Sequence, residues 1–270
     1  MESRKIGTIA VVYDAAEQET GDLIAGTCEK AVQLAQADWG LGPPEDCRIY
    51  VMTSWWGFIL RSAPWSWKIL LAATVPLWAF RAWRMWSYSA GWTQRYGKRV
   101  AIGVKPPRLL EQSDRSIGAR IFVEETDTRV KVQHVTCHEL VHACSAHLRL
   151  PAWLNEGIAT VTVDRFLGYP TIREETLGLI GDHEPKGSPP TYRALSRMSG
   201  EAIAYHGVRG YWLVRYLEEK YPGLLRHLFS QGQDGPSIER ALITQLGREP
   251  ERSWTEIDGA VVDHFERENG

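Results

Sequence analysis

The chain has 270 residues, with 31 Lys+Arg against 33 Asp+Glu, 44% hydrophobic and 24% charged. This balance belongs to a folded globular protein and excludes collagen, low-complexity disorder and a long coiled coil. The net charge of −2 hides an asymmetry: residues 47–110 carry ten basic and no acidic residues, so the rest of the chain is strongly acidic. Eight of the twelve tryptophans fall in the same block (Trp55, Trp56, Trp65, Trp67, Trp78, Trp83, Trp86, Trp92).

In chain order, Ile6–Tyr13 is rich in β-branched residues and predicts a buried strand, followed by a helix from about Asp14 to Asp38 that Gly40-Leu-Gly-Pro-Pro ends. Further strands are expected at Arg48–Thr53, Arg99–Val104 and Ala119–Val123. From about Thr128 the pattern turns helical, over 129–148, 151–166, 201–220, 222–231, 236–246 and 253–267, with a Gly/Pro-rich loop at 181–190 that includes His183. The expected fold class is α+β: an N-terminal α/β portion over 1–125 with a small sheet, then a mainly helical portion over 126–270. Four cysteines (Cys28, Cys47, Cys137, Cys144) show no C-x-x-C pairing, and the start Met1-Glu-Ser-Arg-Lys lacks the apolar stretch of a signal peptide. Reduced, buried thiols and an intracellular location, cytoplasmic or peripherally membrane-associated, are expected.

Between the second and third predicted strands lies an insert, residues 55–92. Its most apolar run, Ile69–Phe80, is 12 residues, short of the roughly 20 needed to span a bilayer. Tryptophan on an apolar body with Arg and Lys at its edges suits an interfacial or re-entrant segment on anionic lipid, since indole sits at headgroup level and cations meet phosphate. A helical hairpin packed on the domain and, behind it, a true membrane span are the alternatives. A nucleic-acid reading of the block would rest on charge and aromatic content alone, and no nucleic-acid partner is expected.

His138-Glu139-Leu-Val-His142 is an H-E-x-x-H pattern in a stretch free of Gly and Pro from Ala119 to Leu150. On a helix, positions i and i+4 share a face about 6 Å apart along the axis, so both imidazoles can reach one ion. Glu139 lies beside that face, where it can accept a proton from water. A catalytic zinc takes three protein ligands and keeps an open position. His147 falls on roughly the opposite side of the helix from His142, and His134 is too far along it. The third ligand must come from another element. Pro151 starts a new helix; if it folds back antiparallel, Glu156 can face the two histidines. The elongated metzincin pattern is absent, because its Gly and last His fall on Ser145 and Leu148.

These residues resemble a family. H-E-L-V-H at 138–142 followed by Leu150-Pro-Ala-Trp-Leu-Asn-Glu156-Gly-Ile-Ala is similar to the gluzincin-type zinc peptidases called peptidase MA-like, including the minigluzincin forms. The segments Ala204–Leu217 and Ser237–Gly247 resemble that family's later helices, and the N-terminal strand–helix–strand layout is also similar. The insert is the main departure. The resemblance implies a zincin-like fold, Zn²⁺ held by His138, His142 and Glu156, Glu139 as general base, and a peptide or protein substrate. Tyr205 or His206 would supply the oxyanion donor, and Tyr205 is chosen. Where some gluzincins place an acidic residue four positions after the glutamate ligand to orient a histidine, this chain has Thr160; Asp164 and Asn155 are the substitutes considered for that role. The competing function is a non-catalytic, membrane-associated module in which zinc only braces the fold.

Overall fold

The computed structural model describes the chain except residues 76–78, 80–82, 84–85, 87–88, 114–117, 183–188, 196, 247–252 and 270. Trp78, Arg81, Arg84 and His183 therefore lie outside the described residues. The protein is α+β, with a five-stranded sheet in the N-terminal half and a mainly helical C-terminal half.

The strands are β1 (Glu2–Ile6), β2 (Ile9–Tyr13), β3 (Asp46–Val51), β4 (Gly91–Tyr96) and β5 (Arg99–Val104), in the sheet order β1-β2-β3-β5-β4. The centre is parallel: β2 pairs with β3 and β3 with β5, and α1 (Gln18–Trp39) forms the first crossover. Both edges are antiparallel hairpin arms, β1 on β2 and β4 on β5. Each hairpin turn contains a glycine at positive φ, Gly7 at 56° and Gly97 at 65°, a conformation that side chains with a Cβ resist. Neither edge strand was expected from sequence. Strand β1 is polar and exposed along nearly its whole length, so it has no hydrophobic alternation, and β4 is hidden in the tryptophan-rich block.

Helices α2 (Trp55–Ser62) and α3 (Trp65–Ala73) open the insert. Ser54 caps α2 by accepting from Gly57 N at 3.0 Å. Phe58 and Ile59 are buried with Tyr50, Met52, Tyr96 and Ala101 in one apolar cluster, while α3 buries no residue fully. Next come α4 (Pro107–Ser113) and α5 (Gly118–Ile121). The strand expected at 119–123 is not there. Helix α5 occupies its start, and Phe122 makes an isolated antiparallel bridge to Ile172: a short run with no neighbouring strand has nothing to extend a ladder.

Then come α6 (Thr128–Ser145), α7 (Ala152–Leu167), α8 (Leu177–Asp182), α9 (Tyr192–Leu195), α10 (Gly200–Lys220), α11 (Leu224–Ser230), α12 (Gly235–Gln245) and α13 (Ser253–Asn269). The chain forms two compact units: Met1–Leu34, Gly42–Ala119 and Glu124–Cys144 make one, and Ala35–Leu41, Arg120–Val123 and Ser145–Gly270 the other. In the second unit, α7 is buried on nearly every side. It crosses α10 through glycines: a Cβ on Gly157 would lie 2.3 Å from Gly210 O, and one on Gly210 would lie 2.3 Å from Trp153 O. The backbones touch there, which fixes the rotation of α7 and so the direction of the neighbouring Glu156. Arg209 donates twice to Asp258, at 2.9 and 2.8 Å, in a fully buried pair between α10 and α13. No helix among the described residues is long and apolar enough to cross a membrane.

Candidate metal centre

Two consecutive helices supply the site. Helix α6 carries His138, Glu139 and His142, and α7 begins just after Pro151, which has the extended conformation of a residue that ends one segment and opens the next helix. In the connection, Arg149 takes a left-handed φ of 53°. This is uncommon for a residue with a Cβ, and it lets the chain turn within a few residues.

The two imidazoles meet at one helical turn, with Nε2 of His138 and Nε2 of His142 3.0 Å apart and their rings nearly perpendicular. One ligand atom from each of His138, His142 and Glu156 lies within 4.8 Å of the others, and all three residues are half-buried. This cluster can hold a metal ion. Among the described residues no other three His, Cys, Asp or Glu side chains converge in this way.

Glu139 is buried, 8% exposed, and faces β4. Thr93 Oγ1 donates to its Oε2 at 2.6 Å. Gly91, at the start of the same strand, leaves the room that Glu139 occupies: a Cβ there would fall 2.6 Å from Glu139 Cγ. Among the described residues the carboxylate is thus held by one hydrogen bond at one oxygen.

Glu156 is held from the other side of its chemistry. Tyr192 OH donates to Glu156 Oε1 at 2.8 Å and accepts from Asn155 Nδ2 at 2.8 Å, and Asn155 Oδ1 accepts from Ser145 Oγ at 2.6 Å. This relay of donors fixes the carboxylate's orientation. Neither residue considered for orienting a histidine bonds one: Asn155 belongs to this relay on Glu156. Asp164 does not: its carboxylate accepts from Thr171 N and Oγ1 at 2.8 and 2.6 Å and from Tyr211 OH at 2.8 Å. Burial raises the Asp164 pKa against these hydrogen bonds, which lower it. Thr160 Oγ1 donates to Glu156 O at 2.9 Å, a contact with the backbone of its own helix.

Tyr205 lies in the second turn of α10, buried, with its ring edge-on to His206 at 4.9 Å. Burial pushes its hydroxyl pKa up, so the proton stays on the oxygen at neutral pH. His134, one turn before His138, is pushed down to about 3 by burial and by His138, and stays neutral. Cys137 and Cys144 are buried thiols outside any disulfide, both pushed up to about 12 by burial, so neither forms a thiolate near neutral pH.

Sequence reasoning thus named the three residues of the cluster and missed Thr93 and Tyr192. Thr93 is 46 residues before Glu139, and Tyr192 is 36 after Glu156. Neither belongs to a local motif, so no spacing signal points to them. No protein-family model matches the chain, and neither does any curated protein sequence.

Proposed function

We propose that the protein is a zinc-dependent peptidase of gluzincin type, with His138, His142 and Glu156 holding the zinc and Glu139 acting as general base. The observation that carries this reading is the convergence of Glu156 on the H-E-x-x-H pair. The donor set also favours it, since two imidazoles and one carboxylate form a common catalytic zinc environment. The 3.0 Å between the two Nε2 atoms is close to the roughly 3.3 Å separating two ligands of one tetrahedral zinc. A structural zinc would need a fourth protein ligand, and three side chains make up the cluster among the described residues.

Zinc supplies a Lewis acid that makes a water more acidic and polarises a peptide carbonyl. Glu139 takes the proton of the attacking water and delivers it to the departing amine. Thr93 bonds one of its oxygens, which leaves the other for the water. Tyr192 keeps Glu156 Oε1 occupied and so limits how the carboxylate can turn toward the ion. Tyr205 is assigned as the hydroxyl donor to the developing oxyanion.

Elemental analysis after dialysis against a weak chelator tests the reading. Wild type is expected to keep one equivalent of zinc and Glu156→Ala to lose it. Glu139→Gln is expected to keep the zinc while peptide hydrolysis falls by about 10³-fold. A folded wild type without zinc, or undiminished hydrolysis by Glu139→Gln, overturns the proposal. Tyr205→Phe is expected to lower kcat by about 10²-fold with zinc content unchanged.

A further inference from the structure

The insert presents apolar side chains to solvent from a base that is itself well packed. Helix α2 is pinned through Phe58 and Ile59, and the Tyr50 and Phe58 rings stand edge-on with centroids 5.9 Å apart. Space for Phe58 depends on Gly103 of β5, where a Cβ would sit 2.6 Å from Met52 Sδ and 3.1 Å from the Phe58 ring. At the far end of the insert, Lys105 Nζ donates to Trp86 O at 2.6 Å and lies 4.2 Å from the centre of its ring. The returning chain then enters β4.

The outward residues contrast with this base. Trp56 and Leu60 of α2 are one helical turn apart, as are Trp65 and Ile69 of α3; with Leu70 and Trp83 they are all exposed, Trp65 by 77% and Trp83 by 72%. Most of the exposed large apolar side chains among the described residues belong to this insert. An apolar surface of this kind on a soluble domain marks a contact site.

We propose that the outer face of α2 and α3, with Trp83, docks on an anionic lipid bilayer and lies in its headgroup region. Two observations select lipid. The insert itself, residues 55–92, carries Arg61, Lys68, Arg81 and Arg84 and no acidic residue; Arg61 pairs with Asp14, the remaining charge complements anionic headgroups, and tryptophan is the side chain whose apolar body and N–H suit the interface. Helices of eight and nine residues are about 12–14 Å long against a hydrocarbon core of about 30 Å, so they rest on the membrane rather than cross it. The insert runs directly into β4, whose Thr93 holds Glu139. The docked surface and the base therefore share one stretch of chain, and the docking itself does not depend on the zinc reading.

Full-length protein is to be sedimented with vesicles of equimolar phosphatidylglycerol and phosphatidylcholine, and with phosphatidylcholine alone. Binding is expected to the anionic vesicles, weakened by salt, with a blue shift of tryptophan emission. Trp65→Ala, and separately Ile69→Ser with Leu70→Ser, are expected to lower vesicle affinity by about tenfold, with the thermal melt and zinc content as in wild type. Absence of wild-type binding to anionic vesicles, or equal binding by both variants, overturns the proposal. So does equal binding to the two vesicle types, or a dimer in solution that these variants break without any vesicle binding. Zinc content read on the same samples keeps this outcome separate from that of the peptidase reading.

Discussion

Helices α6 and α7 turn polar side chains inward, whereas α2 and α3 turn apolar ones outward. In the first pair, each carboxylate of the site has a partner: Glu139 has Thr93, and Glu156 has Tyr192. Half-buried carboxylates are costly unless paired, so the surrounding structure holds them. In the second pair, the inner face of α2 completes a core, and the outer apolar side chains of both helices stand exposed. Inward polar groups and outward apolar groups are two departures from ordinary burial.

The sharpest way to test that contrast is the same substitution in both regions. Trp153 of α7 is buried, donates from Nε1 to Glu239 Oε1 at 2.8 Å and packs edge-on against Trp254. Trp153→Ala is expected to cost about 3–5 kcal/mol, whereas Trp65→Ala should change stability by less than about 0.5 kcal/mol. Denaturant titration of both checks this, and a large loss from Trp65→Ala would mean that α3 supports the fold.

Lys105 tests whether the base of the insert is a packed one. Burial pushes its pKa down to about 8, while an unfolded lysine titrates near 10.4. As pH falls from about 10.4 to about 8 the unfolded chain takes up this proton first, so the lysine's contribution to stability is lost across that window and is flat below it. Wild type should lose up to about 3 kcal/mol there relative to Lys105→Met. Parallel unfolding curves at several pH values measure the difference; identical pH profiles would show that the ammonium is not desolvated.

Within the candidate metal centre, Tyr192→Phe removes the donor to Glu156 and, on the proposed zinc reading, should weaken zinc affinity by about tenfold or more, measured by chelator competition. Thr93→Val should lower kcat by a smaller factor, about tenfold, with KM and zinc content unchanged and with recovery in Thr93→Ser. A shift in KM alone would assign Thr93 to substrate binding rather than to holding Glu139.

Much of the architecture was legible in the chain. Residues 9–13, 46–51 and 99–104 are runs rich in β-branched and apolar residues flanked by Gly, Pro or polar residues, and the parallel centre of the sheet is made of these three. The long helices showed their period and their stops, such as Pro151 before α7. Strands β1 and β4 were not legible, because an edge strand paired on one side needs no alternating apolar pattern. The run 119–123 looked like a strand but had no partner ladder. His138, Glu139 and His142 were readable because a helix converts a fixed spacing into a shared face, and that rule is local.

The sequence by itself therefore determined the features that near neighbours dictate: the elements, the pair of histidines on one turn, and the charge of the insert. Tertiary structure alone decided the features that depend on distant segments meeting: the glycine crossing of α7 and α10, Thr93 on Glu139 and Tyr192 on Glu156. The physical reason is that periodicity records which face of an element is buried, while the partner of a polar group is chosen by packing across tens of residues and leaves no spacing in the chain.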